Sequence, residues 1–204
     1  MSLDMSTFFK HGTMTDRKHQ ILQIAIEMIA DEGYASLTMR ALARASGMKL
    51  GALQYHFRTS DDMLRALVGY IAESYRQSFK SLQDAANNKS QPLGLRQVVI
   101  FILKDKPGEA LLSDRLWPQL WAMQLVEPLV SDLVDDIYAI YVEILEKALS
   151  VTDKSTPRAE ALFLMSLLEG STIFMASGRR WEKDTKVFYS TVLEFIDNRY
   201  GEQS

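Results

Sequence analysis

Residues 38–57, TMRALARASGMKLGALQYHF, decide how this chain is read. They divide into two short helical stretches around Ser46-Gly47. Leu37 and Leu42 stand on either side of a Thr38 N-cap at the spacing of a hydrophobic staple. Met39, Leu42 and Ala43 recur on one face, as in an amphipathic helix. Gly47 stops that helix, because glycine reaches the left-handed conformation needed just past a helix end without steric cost. In the second stretch Leu53 and Phe57 lie one turn apart and face inward. Gly51, Ala52, Gln54 and Tyr55 are left on the outer face. Small residues permit close approach, an amide can meet a base edge with two hydrogen bonds, and a phenol adds an aromatic hydroxyl. A helix–turn–helix with such an outer face suits the major groove of DNA. Glycine-linked helix pairs also occur as plain packing in helical proteins, so the spacing alone leaves both readings open.

Upstream, Thr15 or Asp16 opens a helix whose inward stripe is Ile21, Ala25, Met28 and Ile29, and Gly33 ends it. Arg17 and Lys18 at its start are phosphate contacts or solvated surface. Downstream, Ser60-Asp61-Asp62 caps a long helix over 60–86, with an acidic first turn that complements the helix dipole.

Residues 15–65 resemble the N-terminal domain of the TetR family of transcriptional repressors. The resemblance is carried by Ile21-Leu22-Ala25, Glu32-Gly33-Tyr34, Leu37-Thr38-Met39-Arg40, Leu42-Ala43, Ser46-Gly47, Gly51-Ala52-Leu53, Tyr55-His56-Phe57 and Leu64. It implies that Thr38 and Arg40 contact phosphate, that Gln54 and Tyr55 read the groove, and that His56 grips the backbone. Lys49, Leu50, Gly51, Ala52 and Arg58 complete the expected DNA-binding set. Three positions depart from the family pattern. Lys49 stands where a capping serine is usual, Gln54 where tyrosine is commoner, and Ser60 where a lysine is usual. Arg58 is placed to compensate for the last.

The formal charge of −3 would suit a nucleic-acid binder poorly if it were evenly spread. Residues 1–60 hold seven Lys/Arg against five Asp/Glu, whereas residues 61–204 hold sixteen against twenty-one. A mildly basic front on an acidic back fits a DNA-facing head on a body that faces away from DNA. There is no cysteine, which removes disulfides, thiolate metal sites and a cysteine nucleophile, and fits a cytoplasmic protein. No apolar run approaches the ~20 residues needed to cross a bilayer, and Glu169 interrupts the longest candidate at Ala161–Leu168. Residues 1–14 read as a disordered arm, residues 15–58 as the DNA-binding domain, and residues 59–204 as a ligand-binding and dimerisation domain.

The body reads as all-α. Expected helices follow at 92–105, 108–126 (irregular at Pro118), 128–150, 157–177 and 183–200, with a polar break at Asn87–Gln91 and punctuation at Lys106-Pro107-Gly108. That makes nine helices, three in the head and six in the body. The last two carry two apolar stripes each, more than the surface helix of a monomer needs. We expect them to pack a homodimer through Leu167, Phe174, Phe188, Val192, Leu193, Phe195 and Ile196. In the resembled family the corresponding pair forms a four-helix interface. Aromatic and methionine side chains suit an adaptable apolar pocket, and the resemblance implies one. Its candidates are Phe101, Trp117, Trp121, Tyr138, Tyr141, Phe163 and Thr172.

An enzyme is disfavoured. All three histidines, at 11, 19 and 56, precede the body, and no nucleotide-loop or nucleophile-elbow motif is present. Neither catalytic residues, a metal site nor a cofactor is expected. Asp132, Asp135 and Asp136 read as a solvated acidic face. The expected partners are a double-stranded DNA operator, a small apolar or aromatic effector and a second copy of the chain, without a membrane. The alternative is a DNA-binding regulator whose body answers to a protein partner or to no ligand.

Overall fold

The computed structural model describes residues 16–87, 94–104, 115–150, 156–176 and 178–201. The expected arm at 1–14, the centre of the polar break after Asn87 and the turn at Lys106-Pro107-Gly108 lie outside them. Among the described residues there are nine α-helices and no strand. They are α1 Asp16–Glu32, α2 Met39–Ala45, α3 Leu50–His56, α4 Ser60–Asn87, α5 Leu95–Lys104, α6 Leu116–Met123, α7 Pro128–Leu149, α8 Pro157–Met175 and α9 Thr185–Tyr200. Short 3-10 turns precede α2 and α9, at Tyr34–Ser36 and Glu182–Asp184. No described helix is long and apolar enough to cross a membrane.

Two ends differ from the sequence reading. Thr59, not Ser60, caps α4: its Oγ1 accepts from the Asp62 N–H at 3.0 Å. Pro118 causes no irregularity, because the described helix begins at Leu116 and places the proline in its first turn, where a missing N–H costs nothing. Residues 108–114 of the expected helix lie outside the described residues.

By packing, the chain divides into two units, residues 1–77 with 107–135, and residues 78–106 with 136–204. In the first, Ile21, Leu22, Ala25, Ile26 and Ile29 of α1 are buried with Leu42 and Ala43 of α2, Leu53 of α3, and Met63, Leu67 and Ile71 of α4. Leu116, Leu120 and Met123 of α6 are buried in the same unit, where α6 packs on α1. The Tyr75 ring meets Trp117 edge-on at 5.7 Å. In the second unit α5 packs on α9. Buried there are Val98 and Val99 of α5, Tyr141 and Leu145 of α7, Leu164 and Leu168 of α8, and Val192 and Ile196 of α9. Arg96–Asp197 (2.5 Å) and Arg158–Glu146 (3.3 Å) pair at its surface.

Gly47 fixes the angle between α2 and α3. Its φ is +66°, the Met48 N–H reaches the Ala43 carbonyl at 2.8 Å, and its own N–H reaches Arg44 at 3.0 Å, the paired bonds of a Schellman motif. An added Cβ would meet nothing within 4 Å, so the penalty of substitution is backbone strain alone. Gly47→Ala is expected to lower unfolding free energy by about 1 kcal/mol, read by chemical denaturation. An unchanged midpoint would show that the turn relaxes without cost.

Candidate nucleic-acid interface

The recognition surface is built on α2, the Schellman turn and α3. Thr38 caps α2, its Oγ1 accepting from the Ala41 N–H at 3.2 Å. Accepting there leaves the hydroxyl proton available to a phosphate oxygen. Lys49 holds the cap position of α3 without a side-chain hydrogen bond, which keeps its ammonium free of that role. Leu53 is buried, and Phe57 is buried just past the helix end. These two anchors turn the opposite face of α3 outward. Gly51, Ala52, Gln54 and Tyr55 are exposed there, Tyr55 at 88%. Thr38, Arg40, Lys49 and Arg58 are exposed as well, while Leu50 and His56 are half-buried. All ten expected DNA-binding residues thus come from one contiguous stretch, and none is fully buried.

The scaffold beneath is cross-tied. Arg17 donates from Nη2 to the Ser46 carbonyl at 2.8 Å and from Nη1 to Gln20 Oε1 at 2.9 Å, so it holds the turn. The Lys18 ammonium stands 5.8 Å from the Phe57 ring centroid, in cation–π range. At the other end of α1, Arg115 pairs with Asp31 at 2.7 Å. The Tyr34 hydroxyl donates to Glu127 Oε1 at 2.6 Å. Burial, then the hydrogen bond to Glu127 and its charge, push the Tyr34 phenol up to about 12. It therefore stays a donor throughout the working range.

Residues 38–58 contain four Lys/Arg and no acid, a local concentration of positive charge that the net charge conceals. Sequence reasoning passed over one of the four. Arg44 is exposed, and it follows Arg40 by four residues, so both share one face of α2. That i, i+4 repeat was the available signal.

The seven pocket candidates are drawn from both packing units. Trp117 and Trp121 lie in the first unit with ring centroids 6.2 Å apart. Phe101, Tyr138 and Tyr141 belong to the second unit, where Phe79 meets Tyr141 at 4.8 Å and Phe101 at 6.2 Å. Thr172 is half-buried on α8. Phe163 is half-exposed on the outer side of α8, 6.1 Å from Phe195. With Ala159, Glu160, Phe195 and Arg199 it lines an open groove of about 350 Å³. Sequence reasoning did not select Glu169, which the Tyr138 hydroxyl hydrogen-bonds. Burial raises its carboxyl to about 7, and that hydrogen bond partly opposes the rise.

Of the seven expected interface residues, Phe174 is 50% exposed, and Leu167, Phe188, Leu193 and Phe195 are half-buried. Val192 and Ile196 are buried inside the protomer, at 3% and 2% exposure, and so cannot meet a partner directly. The reason is the packing of α5 on α9, which claims that stripe. Leu162 and Ile173 on α8, Trp181 and Val187 are exposed apolar side chains that the sequence reading left out of the face, and Phe163, read as a pocket candidate, is exposed as well.

The sequence profile described as "Bacterial regulatory proteins, tetR family" matches residues 21–67. The chain is similar to an HTH-type transcriptional regulator in the dhlA 5′ region of Xanthobacter autotrophicus. The two are 26% identical over 152 residues, covering 72% of this chain and 73% of that protein. It is also similar to the HTH-type transcriptional regulator BetI of Pseudomonas paraeruginosa. That match is 22% identical over 202 residues, covering 96% of this chain and 98% of the relative. A transcriptional regulator from Saccharomonospora viridis, solved in complex with choline, shares the fold. Its TM-score is 0.72 at 19% identity, covering 93% of this chain and 100% of that one. The profile falls on the helices that carry the recognition surface, and the curated relatives are transcriptional regulators, not enzymes. Residues 21–67 thus form a DNA-binding domain of the TetR family, in a chain similar over most of its length to HTH-type transcriptional regulators.

Proposed function

We propose that this regulator is a cytoplasmic homodimeric repressor that holds a palindromic operator through α3 of each protomer and leaves it when a small molecule occupies the body. The outward presentation of Gly51, Ala52, Gln54 and Tyr55 on an anchored, cross-tied helix carries the reading. Gln54 and Tyr55 read base edges. Thr38, Arg40, Lys49 and Arg58 bind phosphate, with Arg44 added to them. His56 grips the backbone, while Leu50, Gly51 and Ala52 allow close approach. Residues 15–58 act as the DNA-binding domain and residues 59–204 as the effector and dimerisation domain. The apolar outer side of α8, with Phe174 and Trp181, pairs two copies.

A fold neighbour solved with choline supports an effector site in the body. Helix α4 contributes residues to both packing units and is the covalent route from effector to head. Weakening the operator ~100-fold requires the effector to favour the released arrangement by about 2.7 kcal/mol.

Selection of targets from a random DNA pool tests the reading. The expected product is a palindrome whose half-sites lie one helical turn, or a multiple of it, apart. Gln54→Ala should relax preference at one base position, at about 1–3 kcal/mol, whereas Arg40→Ala should weaken all sequences alike and flatten the salt dependence. Equal losses with unchanged base preference would sink this division of roles.

A further inference from the structure

The sequence leaves Arg17 as a phosphate contact or solvated surface, and the structure gives its guanidinium a different use. Nη1 donates to Gln20 Oε1 on its own helix at 2.9 Å, and Nη2 donates to the Ser46 carbonyl at 2.8 Å. Ser46 is the C-cap of α2, 29 residues further along, and it is buried. The turn satisfies the carbonyls of Leu42, Ala43 and Arg44 from within, through the N–H groups of Ser46, Met48 and Gly47. The Ser46 carbonyl takes its hydrogen bond from α1 instead. An added Cβ at Gly47 would meet nothing within 4 Å, so packing at that point does not fix the angle between α2 and α3. Each of the two helices is seven residues long, too short to hold its place alone. Helix α1 is seated in the core through fully buried Ile21, Leu22 and Ala25. A charged donor bridging it to the turn makes the stronger class of hydrogen bond.

We propose that Arg17 is a positioning residue for base reading, tying the α2–α3 turn to α1 so that Gln54 and Tyr55 enter the groove at a fixed depth and tilt. Its charge then serves the fold and is not one of those that neutralise phosphate. The proposal rests on the reading that α3 lies in the major groove, and adds to it a residue outside the helix–turn–helix. Bidentate contact with a base edge demands close hydrogen-bond geometry, whereas a lysine or arginine follows a phosphate through a larger displacement. Loss of the tie therefore acts on specific binding and spares non-specific binding.

The test compares full-length parent, Arg17→Met and Arg17→Lys for affinity to the selected operator and to an unrelated duplex, over a salt series. Methionine keeps most of the stem without the donors. Lysine keeps the charge without the fork that reaches two acceptors. Both variants are expected to lose roughly tenfold on the operator, to stay within twofold on the unrelated duplex, and to keep the parent's salt slope. Retained non-specific binding also reports that they fold. In a Gln54→Ala background Arg17→Met should lose less than in the parent, because the contact it positions is gone. Equal losses on both DNAs, a slope smaller by about 0.9 and full rescue by lysine would make Arg17 a phosphate contact and overturn the proposal. Unchanged operator affinity in both variants would overturn it as well, and if Gln54→Ala still relaxes base preference the groove reading stands. Should Gln54→Ala leave base preference unchanged, the groove reading falls and the proposal with it.

Discussion

Phe174→Glu is expected to sediment as a monomer at concentrations where the parent is a dimer, and to lose two or more orders of magnitude in operator affinity. The side chain is 50% exposed in the protomer, so a carboxylate there is solvated and the monomer fold is unharmed. In a two-fold interface the same residue enters from both sides, and two unpaired charges are buried together. Each such burial costs several kcal/mol, enough to remove most dimers of moderate affinity. A monomer reaches one half-site and forfeits the effective concentration that tethering gives the second. Sedimentation velocity and operator titration read the two effects separately. An intact dimer with full operator affinity would place the pairing surface elsewhere than on the outer side of α8.

Glu169→Gln is expected to stabilise the protein at pH 8 while leaving it unchanged near pH 4. In the folded chain the carboxyl is raised from 4.5 to about 7 by burial. Below 4.5 both folded and unfolded states carry the proton, and the group costs nothing. As pH rises toward 7 the unfolded chain ionises first, so stability falls across that window and stays low above it. The full difference is on the order of 3 kcal/mol, or roughly 6–12 °C in midpoint for a chain of this size. Glutamine keeps the shape and a hydrogen-bond acceptor without the charge. Thermal unfolding of parent and variant at both pH values, at one fixed protein concentration, measures the effect. Parallel pH profiles for the two proteins would remove Glu169 as the source.

What the sequence made legible follows from how local each feature is. Helix α3 and its turn were readable because the cap, the apolar spacing and the glycine all lie within twenty residues and act through backbone sterics. The all-α class was readable for the same reason. The tie between Tyr34, just past α1, and Glu127 was not, since the two are 93 residues apart and no period links them. The two stripes of α9 were visible as apolar, but which one the protomer keeps is decided by α5 packing on it, a long-range contact. Hence Val192 and Ile196 went to the core while Val187 stayed outside. Glu169 left a mark that was read too narrowly. An acid ending the run Ala161–Leu168 interrupts a membrane span, but which side of α8 turns it inward is set by tertiary packing that no local pattern records.

The ties between α1 and the segment 115–127 bear on how such a regulator can be taken apart and recombined. Leu116, Leu120 and Met123 are buried beside α1, and Arg115 and Glu127 hold Asp31 and Tyr34 from either end of the segment. The smallest self-contained piece that carries the recognition helix is therefore discontinuous in the gene. A graft that cuts after residue 58 would transplant the reading face but leave part of its underside bare. A chimera that borrows this specificity for another sensor must bring α6 with it, or remake its contacts on the recipient's own helix.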